Sequence, residues 1–386
     1  MTIEGYRMNQ KERDSLTALL HSANDRYQDL SHMIHWTAAD SECLDNLVDS
    51  KDQKKNIADR ITKATGSRAF TMYLPSFLAY KSWQRTKAVY SFNREFIDTM
   101  SQTDDTTILI SLLERLPFRD MLFLFPDGAL PTIKDEDTAG MYVHIESHPE
   151  LLWIAFNYID RKNDNGTQIF PGISFAFKIT NGMKVSQIFE TPQYLEWIST
   201  YKQTVSFDRH LNEQETEECI LAVRKALNTA INLMYYLSSE EPDIKQIKRH
   251  KKPRKTSSSQ REDDDPAIKL HEVGTAYAEI VSRKLYLSNN LTGEDTDLTE
   301  DDDDENNEDA AVRTVKHGKK RRPHVRRAHF QHYWTGEGHT VPILRWKSDL
   351  FVGANRDDQA IIVYDVAKDS MKGKRNPNTS KKKRNK

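Results

Sequence analysis

The sequence predicts an α+β fold with a helical N-terminal part, a central antiparallel β-meander, further helices, a small α/β C-terminal unit, and a disordered charged linker and tail. Three observations lead to this prediction. Apolar residues recur every three to four positions in the first 100 residues. Short β-branched or aromatic runs separated by turn residues follow, and charged low-complexity segments interrupt the second half of the chain.

The N-terminal region, residues 1–110, is predicted to be helical. Apolar positions from 16 to 34 follow helical spacing, and a wide aromatic stripe begins after Pro75 and continues to Phe96. We interpret that stripe as core packing rather than as a ligand groove, because large aromatic side chains are mostly buried in globular proteins.

The central region, residues 111–244, is predicted to be a β-meander followed by a helix. Its apolar runs lie close together, which favours an antiparallel meander over βαβ units. The helix carries an apolar stripe over residues 220–234 and ends near Glu241 and Pro242. The predicted strands are MLFLF (121–125), MYVHI (141–145), LLWIAFNYI (151–159) and ISFAFKI (173–179).

The remaining third of the chain alternates between charged segments and short elements. We predict a basic and serine-rich linker over 245–265, a helix over 266–288, an acidic-then-basic linker over 289–320, a unit rich in Arg, His and aromatic residues over 321–367, and a disordered basic tail over 368–386. Strand candidates in the last unit are VPILRW, LFVGA and QAIIVYDV.

Charge is segregated along the chain although the formal net charge is only −2. Seven of the eleven residues over 245–255 are Lys or Arg, eleven of the sixteen over 294–309 are Asp or Glu, and residues 368–386 hold nine Lys or Arg against one Asp. Blocks of this kind are typical of interaction segments rather than packed elements.

Two cysteines, Cys43 and Cys219, each lie in a helical stretch, which predicts buried thiols and argues against a disulfide framework or a Cys-based zinc site. No N-terminal signal peptide and no run of 18 apolar residues is present. We therefore expect a cytoplasmic protein with no membrane partner.

The stretch KHGKKRRPHVRRAHFQHYW, Lys316–Trp334, carries the strongest functional signal. Five of the thirteen histidines fall within 23 residues here and just after it, but no cysteine is near and four arginines oppose a cation. We therefore expect no metal and no cofactor. Two arginine pairs and the aromatic residues that follow them instead indicate planar recognition of phosphate, carboxylate or peptide carbonyl groups.

Recognisable catalytic motifs are absent: the chain has no GxxxxGK[ST], GxGxxG, HExxH or GxSxG. His144 and His148 near Glu146 have the chemistry for acid–base work, but we interpret them as ordinary polar positions among strand and turn signals. The sequence thus favours a binding protein over an enzyme and identifies no catalytic residue.

The segment RRPHVRRAHFQHYWTGEGHTVPILRWKSDLFVGA, Arg321–Ala354, resembles the C-terminal signature of the second class of type V-A anti-CRISPR proteins and their relatives on phages and plasmids. Weaker, collinear similarity lies upstream in LERLPFRDMLFLFPD (113–127), EPDI (241–244) and HEVGTAYAEIVSRKL (271–285). The chain departs from the pattern at Gln331, where the family has a histidine, and at Phe330, where a tryptophan is common. These departures argue against a histidine-dependent catalytic or metal role.

The resemblance implies an anti-CRISPR protein that blocks production of the type V-A effector nuclease. Members of this family recognise the nascent N-terminal polypeptide of the effector and promote loss of its mRNA during translation. The implied partners are that polypeptide, the mRNA or ribosome, and a host nuclease, in the cytoplasm of a bacterial host. The implied peptide- or RNA-binding residues are Arg322, His324, Arg326, Arg327, His329, Tyr333, Trp334, Arg345 and Trp346.

Two other functions remain open from the residues alone. One is an RNA-binding regulatory protein of a phage or plasmid with a different target, and the other is a histidine-dependent RNA hydrolase. The peptide itself has two predicted places: the exposed edge of the β-meander, by strand addition, or the C-terminal signature unit.

Overall fold

A central sheet of seven strands organises the computed structural model, in the order β5-β4-β3-β2-β1-β7-β6. The structure describes residues 27–46, 50–66, 74–103, 106–130, 137–148, 151–161, 169–208, 212–247, 268–278, 324–326, 328–348 and 350–352. The strands among them are β1 (Ala88–Phe92), β2 (Asp120–Leu124), β3 (Asp137–His148), β4 (Leu151–Arg161), β5 (Ile169–Ile179), β6 (Ile244–Gln246), β7 (Lys269–Val273), β8 (His324–Arg326), β9 (His329–Thr335), β10 (Val341–Lys347) and β11 (Leu350–Val352).

Helices accompany this sheet, and the class is α+β, as predicted. Within the same residues the helices are α1 (27–33), α2 (Ala38–Glu42), α3 (Lys51–Thr65), α4 (Leu74–Thr86), α5 (Arg94–Ser101), α6 (Ile110–Leu113), α7 (Val185–Ile188), α8 (Pro192–Asp208), α9 (Glu213–Leu237) and α10 (275–278). The long helix α9 begins with a capping box in which Asn212 and Glu215 each bond the other's backbone N–H.

The chain divides into two compact units. The first comprises Met1–Thr275 and Ala328–Lys347, and the second comprises Ala276–Arg327 and Ser348–Lys386. The seven-stranded sheet and the β9–β10 hairpin belong to the first unit, whereas β8 and β11 belong to the second and pair antiparallel there. The residues of the predicted signature unit, 321–367, therefore fall in both.

The predicted meander is confirmed. Strands β2, β3, β4 and β5 pair antiparallel in chain order, because their alternating apolar residues and close turns favour local pairing. Phe175, Phe177 and Ile179 on β5 are buried, whereas Ala176 and Lys178 between them are exposed. Helix α9 likewise buries its predicted stripe.

The aromatic stripe after Pro75 is not one helix, and this prediction was wrong. Helix α4 ends at Thr86, Lys87 adopts a positive φ of 48°, and β1 follows before Asn93 caps α5. Strand β1 pairs parallel with both β2 and β7, so the sheet is mixed rather than a pure meander. Its residues are buried on both faces, and such strands lack the polar alternation that distinguishes a strand from a helix.

The helix predicted over 266–288 is also wrong in its first part, since Lys269–Val273 form β7. Gly274 then adopts a φ of +78°, and a Cβ atom there would lie 2.5 Å from Cγ of Phe96. Only glycine fits this turn, which separates β7 from α10. The first two residues of the predicted 245–265 linker, Lys245 and Gln246, pair with β7 as part of β6.

One continuous apolar cluster joins the N-terminal helices to one face of the sheet. Side chains of α1, α3 and α4 pack there against Val89, Leu122 and Leu270. Cys43 belongs to the same cluster, and both cysteines are buried free thiols, as predicted. The predicted strand QAIIVYDV, the linkers over 248–265 and 289–320 and the tail lie outside the described residues.

Candidate functional site

The β9–β10 hairpin carries most of the predicted site residues that the structure describes. Its two strands pair from His329 opposite Lys347 to Thr335 opposite Val341. The turn between them contains Gly336 and Gly338, whose φ angles of 77° and 72° lie in the left-handed region where glycine is favoured. The sequence TGEGH therefore fixes the register of the hairpin.

One face of the hairpin packs on the helices of the first unit. The ring of Trp346 meets Phe96 of α5 and Tyr236 of α9 edge-on, both at 5.6 Å between centroids. Phe330, opposite Trp346, lies 5.8 Å from Tyr235. Leu344 on the same face is 1% exposed. This face anchors the hairpin, and Trp346 is an anchor residue rather than a free stacking surface.

The opposite face presents Arg345 and Tyr333. The Arg345 Nε and Nη2 atoms donate hydrogen bonds to one Glu240 oxygen at 3.1 and 3.0 Å, just beyond the C-terminus of α9. The guanidinium lies 5.6 Å from the centroid of the Tyr333 ring, and the Tyr333 hydroxyl donates to Gln331 at 2.7 Å. Hydrogen bonding to Glu240 raises the pKa of Arg345. The structure therefore brings Arg345 and Tyr333 together.

A backbone bond reinforces this arrangement, since the Glu240 N–H donates to the Leu344 carbonyl at 3.1 Å. The last turn of α9 contains no basic residue, so Arg345 supplies the positive charge that favours a helix C-terminus. The hairpin is thus held by aromatic packing on one face and by an ion pair at its edge.

Trp334 lies at the turn end of β9 and is the exposed aromatic residue of the hairpin. It is 52% exposed, and Val341 beyond the turn is 44% exposed. The carbonyl of Trp334 lies 3.1 Å from Nδ1 of His339, which has a positive φ of 52°. A large apolar side chain held at the end of a rigid hairpin is typical of a binding anchor.

The histidines of the hairpin occupy different environments. His332 shares the packed face with Phe330 and Trp346, and burial lowers its pKa. Its Nε2 atom is buried and has no hydrogen-bond partner. His329 begins β9 opposite Lys347. The two histidines therefore do not form a pair on one exposed face.

The segment of the predicted site that contains the arginine pairs belongs to the second unit. His324 and Arg326 lie on β8, in register with Val352 and Leu350 of β11. Arg322 and Arg327, and the side chains of His324 and Arg326, lie outside the described residues.

A buried polar cluster beneath α4 escaped the sequence analysis. Ser82 donates to Asp120 at 2.5 Å, and Nδ1 of His144 lies 2.7 Å from the same carboxylate oxygen. Nε2 of His144 is 3.6 Å from Glu146, and all four side chains are buried. Burial lowers the pKa of His144, but the hydrogen bond to Asp120 and the nearby charge of Glu146 outweigh it and raise the pKa above its usual value.

This cluster can be recognised only when the pairing of β2 with β3 is known. His144 and Glu146 alternate along β3, but Asp120 faces His144 through the β2–β3 register. His144 is therefore a buried ion-pair partner rather than the ordinary polar position that the sequence suggested. His148 ends β3 with its side chain outside the described residues.

The described part of the chain contains no group of three or more His, Cys, Asp or Glu side chains arranged to hold a metal ion. Among its helices, none combines the length and apolar character needed to cross a membrane.

Comparison with known proteins gives one family. The model of the AcrVA2-like family, described as the anti-CRISPR type V subtype A2 family, matches residues 90–354. A crystal structure of AcrVA2 aligns with 88% of this chain and 99% of its own chain, at 14% identity and a TM-score of 0.44. No curated protein matches the chain.

Proposed function

The chain belongs to the anti-CRISPR type V subtype A2 family, and from this premise we propose that it blocks production of a type V-A CRISPR effector. In this proposal it recognises the nascent N-terminal peptide of the effector and promotes decay of the mRNA being translated. It acts in the bacterial cytoplasm, close to the ribosome, and a host nuclease completes the decay.

The observation that carries the proposal is the anchored β9–β10 hairpin with its exposed Trp334. Trp, Tyr and Arg are the side chains that dominate protein recognition, because each combines a large apolar surface with polar groups. Trp334 is 52% exposed at the turn end of the hairpin. Arg345 and Tyr333 lie together on the face opposite the packed one. The helix packing behind Trp346 lets this surface bind without first being ordered, which lowers the entropic cost of binding.

The edge of the sheet is the second place for the peptide. Strand β5 is the last strand at one end, and no described strand lies beyond it. An extended peptide binds such an edge through backbone hydrogen bonds. The hairpin is the better candidate because its exposed side chains also supply specificity.

Contact with RNA is assigned in this proposal to the arginine pairs at Arg322, Arg326 and Arg327. Guanidinium groups bind phosphate in bidentate geometry. A histidine-dependent hydrolase is disfavoured because His332 is half-buried on the packed face of the hairpin, beside Phe330.

The test compares two effector messages in cells that express this protein. One encodes the native N-terminal peptide, and the other is recoded so that only that peptide changes. We expect steady-state loss of the native message alone, and Trp334→Ala to restore it at least severalfold, since removal of an anchor costs ~2 kcal/mol or more of binding free energy.

Leu221→Ala is the matched control, because Leu221 is an apolar side chain of α9 that is 61% exposed. It should leave the loss of the native message unchanged. If the native and recoded messages both persist at control levels, the activity is absent for that effector, and the protein serves as an RNA-binding regulator with another target.

A further inference from the structure

A second surface combines an aromatic ring, a lysine and a histidine whose nitrogens are unpaired. Phe118 lies two residues before the start of β2, and Lys269 and His271 lie on β7. The Lys269 Nζ atom is 4.7 Å from the centroid of the Phe118 ring, and the His271 ring is 6.4 Å from it. We call these three residues the Phe118 patch.

Strand register explains how these residues meet. β7, β1 and β2 are parallel neighbours, so their first residues lie at the same end of the sheet. Ala88 stands opposite Lys269 on one side and Met121 on the other. In the next row, His271 stacks on Tyr90 at 4.9 Å with 19° between the ring planes.

His271 is the residue that indicates a ligand. Both of its ring nitrogens are buried and neither has a hydrogen-bond partner. Burial and then the charge of Lys269 lower its pKa, so the imidazole is neutral and presents one donor and one acceptor. Buried polar atoms are nearly always paired in native proteins, and an unpaired one destabilises the fold unless a ligand satisfies it.

The surroundings of the Phe118 patch are mainly basic. Arg115 and Arg119 flank Phe118 and are exposed, with Glu114 as the acidic neighbour in that segment. Cations close to an aromatic face attract a phosphate chain that carries planar bases.

We propose that the Phe118 patch binds one nucleotide of a single-stranded nucleic acid. Lys269 covers one side of the Phe118 ring and pairs with the phosphate, while the base stacks on the other side. The neutral His271 ring bonds the edge of that base through one of its two nitrogens. An acidic peptide matches the lysine, but it has no flat base to stack on the Phe118 ring.

This inference deepens the proposed function, on which its biological role rests, by adding an RNA contact separate from the hairpin. Its test, however, uses purified protein and synthetic strands. Fluorescence polarisation measures binding of labelled ten-nucleotide oligouridine RNA and oligothymidine DNA to the full chain over a range of salt concentrations. Binding of either strand by the patch supports the proposal, and tighter binding of the RNA identifies the 2′-hydroxyl as a further contact.

Three substitutions separate the three contacts. Phe118→Leu keeps apolar bulk but removes the stacking face, and we expect about a five- to hundredfold decrease in affinity. Lys269→Gln should weaken binding severalfold and reduce the log–log salt slope by about 0.7, because it removes the cation that pairs with one phosphate. His271→Phe keeps the stack on Tyr90 but removes both nitrogens, and should weaken binding of oligouridine severalfold.

Lys202→Gln is the control, because Lys202 is an exposed cation of α8 that forms an ion pair with Glu217. It should bind oligonucleotides as the unmodified chain does. Unfolding midpoints of all variants exclude loss of structure as the cause, and the half-buried Lys269 provides a milder change than Phe118 if the latter fails to fold.

Unchanged affinity in Lys269→Gln and His271→Phe, with normal unfolding midpoints, would overturn the proposal. So would equal competition by polyglutamate together with normal binding by Phe118→Leu, since the patch would then take an acidic peptide. The message assay distinguishes the two proposals: strand binding without loss of the native message contradicts the proposed function and leaves the Phe118 patch intact.

Discussion

The role of His144 in the structure differs from the role that the sequence suggests. The sequence marks it as a polar position in a strand, whereas pairing of β2 with β3 buries it between Asp120 and Glu146. A buried histidine between two carboxylates is stable as a cation, because each carboxylate offsets the cost of removing the charge from water.

We predict that the His144 contribution to stability depends on pH. Its folded-state pKa is raised above the value of 6.5, so the contribution is fully present below about 6.5 and is lost as pH rises through the folded-state pKa. His144→Gln should lower the unfolding free energy by about 1–3 kcal/mol at pH 6 and by less at pH 9. Urea denaturation at the two pH values measures this difference.

Ser82→Ala is the control for that experiment. Ser82 donates to Asp120 from α4 without itself titrating, so its substitution should lower stability by a similar amount at both pH values. A His144→Gln effect that is equally large at pH 6 and pH 9 would contradict the charged state of His144.

The hairpin shows what an element adds to residue-level prediction. The sequence groups Trp334 with Trp346, because both are aromatic residues near the arginine pairs. The β9–β10 register instead buries one partly against Tyr236 and Phe96 and leaves the other 52% exposed. The two rings lie on the same face of the hairpin, but only the part that carries Trp346 meets α5 and α9, and sequence spacing alone does not reveal how far along a strand such a contact extends.

We predict opposite effects for the two tryptophans. Trp346→Ala removes two edge-on aromatic interactions and should lower the unfolding free energy by about 2–4 kcal/mol. Trp334→Ala should change it by less than about 0.5 kcal/mol, as is usual for exposed positions, while restoring the effector message. Chemical denaturation of both variants checks the first claim, and an equal loss of stability in both would refute the conclusion that Trp346 packs on the helices while Trp334 lies exposed at the turn end.

Other elements were predictable to different degrees for physical reasons. Strands β2 to β5 and helix α9 follow from local apolar patterns, which the meander and the helix satisfy by themselves. Strands β1 and β7 are parallel neighbours far apart in the chain, and the burial of β1 on both faces removes the alternation that identifies a strand. Val89, Phe92 and Phe96 share helical spacing by coincidence, across the end of β1 and the start of α5.

At the scale of the whole molecule, a strongly basic segment lies outside the region that the family model matches. The family model ends at Ala354, and the described strands end at Val352. Residues 368–386 hold nine Lys or Arg against one Asp, outside both limits. Basic charge outside a matched region contributes to binding of polyanions through counterion release, without regard to their sequence.

We therefore predict that a chain ending at Ala354 keeps its fold and its selectivity. It should retain the unfolding midpoint of the full chain and deplete the native effector message but not the recoded one. Its affinity for oligouridine at low salt should fall severalfold, with a shallower salt dependence, because fewer cations displace counterions from the strand. The truncated chain could instead have a normal unfolding midpoint and no longer deplete the native message. The basic tail would then be required for message depletion, and the prediction that it contributes only non-specific binding of nucleic acid would be wrong.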